Sequence, residues 1–240
     1  MEIVSVAERP DLAEQLPFGE GWPRFMFHDP VAARLLPVVE QAFADLNLVV
    51  LDGDEIVAGG WAVRIAWDGT LEDLPGGWDG ALERAVAQLE AREPANTLVT
   101  MAAEVVAARR GKRLSPFVLR ALLDRAEDHA LAPVRPTGKA AHPELAMEEY
   151  AAQVREDGLP ADPWLRTHVR LGGELLSVAP ESMVIEGTVA DWEEWTGLTF
   201  ASSGAYAVPG ALALVEIDVE ADRGRYVEPN VWVRHRPAGG

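Results

Sequence analysis

Residues 97–123 read TLVTMAAEVVAARRGKRLSPFVLRALL, and the hydrophobic period changes within the run. TLVTMAAEVV (97–106) reads as a strand. After it, Leu114, Phe117, Val118, Ala121 and Leu122 fall at i, i+3, i+4, i+7 and i+8, one face of a helix. Between the two, Arg109, Arg110, Lys112 and Arg113 surround Gly111, while the whole chain carries a formal net charge of −18. The first amides of a helix have no intrahelical acceptors, and the macrodipole adds partial positive charge there. Such a corner is a physical recipe for seating a phosphate. A solvated basic loop capped by Ser115 is the other reading that these residues leave open.

Composition narrows the partners. A chain of 240 residues with 48% apolar side chains and eight tryptophans can bury a large core. It has no cysteine, which excludes disulfides and thiolate chemistry of its own. No window approaches the ~20 apolar residues needed to cross a bilayer. Glu2 stands where a leader peptide wants positive charge. The expectation is a cytoplasmic protein without a membrane partner. With 39 acidic against 21 basic residues, an extended basic surface for nucleic acid is not expected. Net acidity attracts cationic substrates over distance, although solubility is the plainer reason for it.

Along the chain, 3–7 suggests a first strand, and 29–43 a helix with Asp29 as N-cap and Pro30 in the first turn. The segment 48–67 reads as two strands joined at Asp52-Gly53. A helix is expected over 80–92, a short strand over 132–136 and a helix over 142–156. The remainder looks β-rich, with strands at 166–171, 212–219 and 230–235, a turn at 221–225 and one short helix at 189–198. The pattern is an α+β mixture with a hairpin-rich sheet.

Several site motifs fail. The Walker pattern needs Ser or Thr after Gly-Lys, and Arg113 stands there. No Gly-x-Ser-x-Gly elbow occurs. The five histidines are scattered without metal-ligand spacing, so no metal is expected.

The run VVAARRGKRLSPFVLRALL resembles the acyl-CoA-binding motif of the GNAT N-acyltransferase superfamily, in which a strand enters R-G-K-G-I-G ahead of a leucine-rich helix. Arg110-Gly111-Lys112-Arg113-Leu114-Ser115 takes the same six places, with Arg113 and Ser115 where the motif has glycines. The specific match covers about 97–125, with looser support over about 47–155. The resemblance implies an α+β fold, a GNAT-like mixed central β-sheet flanked by helices, with a C-terminal β-hairpin extension. It implies one domain, with a CoA-binding core over about 45–155 and a β-rich extension over about 156–240.

It further implies acetyl-CoA as co-substrate and the amine of a small molecule or peptide as acceptor. The backbone at Arg110, Gly111, Lys112, Arg113, Leu114 and Ser115 would hold the pyrophosphate. The strand edge at Ala103 to Val105 would hold the pantetheine arm. Glu104 would take the proton of the attacking amine, and Tyr150 would protonate the departing thiolate. The asparagine that the family often carries after the preceding strand is absent, with Thr137-Gly138 nearby. Trp61, Trp67, Trp164 and Trp192 are candidates to line an acceptor pocket. A catalytically silent CoA-binding module with a sensing or assembly role is the alternative, and a homodimer is compatible with either.

Overall fold

The computed structural model describes residues 1–15, 19, 21–112 and 114–236. Nine strands form one sheet: β1 (Glu2–Ser5), β2 (Asn47–Asp52), β3 (Glu55–Ile65), β4 (Thr97–Val105), β5 (His129–Val134), β6 (Glu174–Gly187), β7 (Gly204–Tyr206), β8 (Val215–Asp218) and β9 (Arg223–His235). Their order is β1-β2-β3-β4-β5-β9-β8-β7, with β6 on the other edge of β9. The C-terminal strands therefore complete the same sheet that the N-terminal strands begin. The helices are α1 (Pro30–Ala42), α2 (Trp78–Ala91), α3 (Leu114–Leu123), α4 (Met147–Ala151), α5 (Pro163–Arg170) and α6 (Val189–Thr196).

Local chemistry accounts for most boundaries. Asp29 caps α1 by accepting from the Ala32 amide at 2.7 Å, with Pro30 at the first helical position. The β2–β3 hairpin turns at Gly53, whose φ of +66° suits a residue without Cβ. Thr188 and Asp191 form a reciprocal capping box at the start of α6.

Two expectations fail. Residues 166–170 are helical, within α5, and Leu171 is its C-cap, because Asp162 accepts from the amides of Trp164 and Leu165 and Pro163 pre-sets the first turn. The apparent alternation of RTHVRL is one helix face sampled over too short a run. The expected helix over 142–156 shrinks to α4. After it the chain doubles back: Asp157 accepts from the Leu159 amide, Gly158 has φ +75°, and Val154 bridges to Pro160.

The main core joins α1, α2 and α3 to the central strands, with Val99, Val63, Leu82 and Val118 fully buried. One polar feature lies inside it. Asp29 and Asp79, at the starts of α1 and α2, turn buried oxygens Oδ2 and Oδ1 to a place with no hydrogen-bond donor. Burial and the facing Asp29 charge push the Asp79 carboxyl up to about 8, so the pair holds one proton between two carboxylates at neutral pH.

Candidate active site

The site is built where two parallel strands part. β4 and β5 are paired only from Thr97↔His129 to Val99↔Leu131. Beyond that point β4 stays with β3 and β5 stays with β9, so residues 100–105 of β4 have no strand on their β5 side. A bulge at Met101 shifts the β3–β4 register between Trp61↔Ala102 and Ala62↔Thr100. Gly60 permits this approach, since a Cβ there would stand 2.5 Å from the Ala102 carbonyl oxygen and 2.9 Å from Val118. Backbone groups freed by parting strands must find partners elsewhere, and an extended ligand arm can supply them.

The cleft between β4 and β5 is a cavity of about 480 Å³. Ala103, Glu104, Val105, Arg110 and Ser115 line it, so the motif strand and the basic corner face one space. Gly111 turns the corner at φ +79°, with no atom within 4 Å of the place a Cβ would occupy. The four cations divide their work. Arg109 is committed to the hairpin tip, to Asp52 at 3.1 Å and Glu55 at 2.5 Å. Arg110 lines the cavity, and Lys112 is exposed. Arg113 lies outside the described residues. Leu114 is buried in the core, so only its backbone is available to a ligand.

A second cavity, of about 430 Å³, lies beneath α1. It shares Trp22, Trp78, Met101, Ala102, Glu104 and Met183 with the first. Glu104 thus stands in the wall common to both. Burial pushes its carboxyl above the ordinary range, against the Gly19 amide, the Trp22 side chain and Arg110, which favour the ionised form. The Gly19 amide donates to Glu104 Oε2 at 2.9 Å. A half-buried carboxylate with a raised pKa and a fixed orientation is suited to accept a proton.

The far wall of the first cavity comes from β5, α5 and β9. Arg135 lies in it, held at two nitrogens: Nε donates to the two oxygens of Glu228 at 3.0 Å, and Nη2 donates to the Gly210 carbonyl at 2.5 Å. His168 lies there too, its Nδ1 2.9 Å from Nε2 of His235. Burial holds His168 down at about 3 and His235 at about 4, so both rings are neutral at physiological pH. The Leu171 carbonyl is close enough to favour the charged form of His235, but His235 Nδ1 has no partner in hydrogen-bond geometry.

Tyr150 lines neither cavity. Its hydroxyl donates to Asp162 Oδ2 at 2.9 Å, beside the Gly138 amide at 2.8 Å, while Asp162 Oδ1 caps α5. Burial and the Asp162 charge drive the phenol pKa upward. Tyr150 therefore anchors the start of the helix that carries His168. Of the tryptophans singled out above, Trp61 lines the second cavity and Trp164 the first, whereas Trp67 and Trp192 are core residues. Trp22, Trp78, Thr137 and His168 line the cavities without any motif to mark them. His168 belongs to the stretch whose alternation suggested a strand. Among the described residues no cluster of three or more ionisable ligands could hold a metal, and no helix is long and apolar enough to cross a membrane.

A mixed sheet whose parallel strands part over a cleft, with a glycine turn and a helix start at its mouth, defines the acyl-CoA N-acyltransferase class. No family model matches the chain. Arginine N-acetyltransferase avaD of Aspergillus versicolor is 34% identical over 271 aligned positions, spanning 97% of this chain and 93% of that protein. The chain belongs to the GNAT superfamily and is an N-acetyltransferase. Two solved structures share its fold along nearly the full length. The loading GNATL domain of CurA from Lyngbya majuscula has a TM-score of 0.55 at 14% identity, over 98% of this chain and 96% of that one. The GphF GNAT-like decarboxylase, solved with isobutyryl-CoA, has a TM-score of 0.53 at 16% identity, over 99% of this chain and 100% of that one.

Proposed function

We propose that this N-acetyltransferase moves the acetyl group of acetyl-CoA directly to the amine of a small cationic acceptor of the arginine type. The parting of β4 from β5 over a cavity lined by Arg110 and Ser115 of the basic corner carries this reading. The similarity to an arginine N-acetyltransferase supports the acceptor class.

The residues fit the co-substrate. The corner offers a glycine turn, helix-start amides and the Arg110 guanidinium to a pyrophosphate. The unpaired edge of β4 at Ala103 to Val105 offers backbone groups to an amide-bearing arm. The thioester supplies an activated carbonyl. Glu104, in the shared wall, accepts the proton that the amine loses as its nitrogen bonds to that carbonyl carbon and the carbon–sulfur bond breaks. His168, neutral and on the cavity wall, offers a ring N–H to charge developing on sulfur, and Tyr150 holds its helix in place. The proton that finally rests on the thiol returns through Glu104 or water.

Release of CoA thiol from acetyl-CoA in the presence of an amine panel tests the reading. Glu104→Gln should lower kcat by about 10²-fold or more while acetyl-CoA still binds. Unchanged turnover would remove Glu104 from the chemistry. Tight CoA binding with no release for any amine would favour a silent binding module instead.

A further inference from the structure

The two cavities differ in their charged groups: the β4–β5 cavity has both signs, with Glu104 and Glu228 beside its arginines. Arg110 and Arg135 belong to the β4–β5 cavity. Among the described residues lining the cavity beneath α1, the only charged side chains are Glu40 and Glu104, and there is no lysine, arginine or histidine. Apart from Asn47, whose buried Oδ1 has no partner, its walls are mostly apolar and aromatic, from Trp22, Trp61, Trp78, Phe27 and Phe43. Trp61 and Trp78 meet edge to face at 5.9 Å between ring centres. Aromatic faces and carboxylates both favour a cation, and apolar walls favour a hydrocarbon body. The external field of a chain at −18 acts in the same sense.

A free amino acid meets this cavity badly. With its amine at Glu104, its carboxylate lies two bonds away in a space whose described charged lining is acidic, while Arg110, the cation that acts on Glu104, lines the other cavity. A buried unpaired carboxylate is strongly disfavoured. We infer that the cavity beneath α1 selects an organic cation whose carboxylate is absent or blocked, over the zwitterionic amino acid. The inference names the acceptor class within the transfer reading above and rests on it. Glu40, exposed on α1 and part of the cavity lining, is the specificity-determining residue, because its carboxylate opposes that of a zwitterionic acceptor.

Arginine, arginine amide and decarboxylated arginine (agmatine), compared as acceptors with acetyl-CoA, test this. The two carboxylate-free compounds should exceed arginine in kcat/KM by about tenfold or more, mostly through KM. A smaller advantage, or a preference for arginine, overturns the inference. If none of the three releases CoA, the transfer reading is what fails. Selectivity is then read by tryptophan fluorescence of the enzyme alone, since Trp22, Trp61 and Trp78 line the cavity. Agmatine binding about tenfold tighter than arginine upholds the inference; equal binding, or none, overturns it. Glu40→Lys should shrink the preference by raising kcat/KM for arginine, and an unchanged ratio removes Glu40 from the selection.

Discussion

The two cavities meet at Trp22, Trp78, Met101, Glu104 and Met183, yet they are made differently. The first is a product of backbone geometry: β4 leaves β5 after Val99, and a glycine turn opens at its mouth. The second lies over strands that remain paired, and its character comes from side chains that α1, the segment before it and β3 bring together. A backbone-made site should fail when something occupies its space. A side-chain-made site should instead change its preferences when one group is altered.

The largest effect expected from that contrast is at the corner. Ser115→Trp should weaken CoA binding by about 10²-fold or more, because a bulky side chain enters the space where the backbone must be approached. Binding of an amine to the cavity beneath α1 should be untouched. Equal affinity for CoA, measured by calorimetry, would sink the corner as the phosphate seat.

A smaller effect separates two residues that are coupled through one helix. His168→Phe should lower kcat by about tenfold with the KM for acetyl-CoA nearly unchanged, since it removes a donor without moving the arm. Tyr150→Phe should leave kcat alone and cost about 1 kcal/mol of stability, the worth of the Asp162 hydrogen bond. Kinetics and thermal melts on the two variants check this, and the reverse pattern would return Tyr150 to the chemistry.

The smallest effect concerns the wall of the second cavity. Asp79 adjoins Trp78, and its carboxyl is raised from 3.8 to about 8 in the folded protein. The folded state therefore holds a proton that the unfolded chain releases between these values. This contribution to stability is full below about pH 4 and is lost as pH rises through about 8. Asp79→Asn should flatten that part of the Tm profile between pH 6 and 8. A wild-type Tm that does not decline over this range would contradict the shared proton.

The same contrast explains what could be seen in the sequence. The β4–corner–α3 unit was legible because strand period, turn glycine and helix period follow one another within a single run, 97–123. The hairpin at Gly53 and the cap at Asp29 are likewise local chemistry. Cavity walls are not local. Trp22, Trp78 and His168 converge only after distant segments have packed, so no spacing marks them. The strand expected at 166–171 failed for a readable reason, since Asp162-Pro163 is a helix-start signal that outweighs a few alternating residues. Tyr150 was placed in the chemistry by resemblance, but its partner Asp162 becomes visible only in three dimensions.

β9 bears on how the molecule is assembled. Its residues 231–235 hydrogen-bond β5, its first residues hold β8, and β6 runs along its other edge. Glu228 and Asn230, in the same strand, complete the cavity wall around Arg135. On the ribosome β5 emerges long before β9, so one edge of β5 waits for a partner encoded far downstream. Pairings this remote in sequence form slowly and leave an open strand edge in the meantime. The binding cleft is thus among the last parts of the chain to become complete, and a nascent molecule has no finished wall against which to hold a thioester.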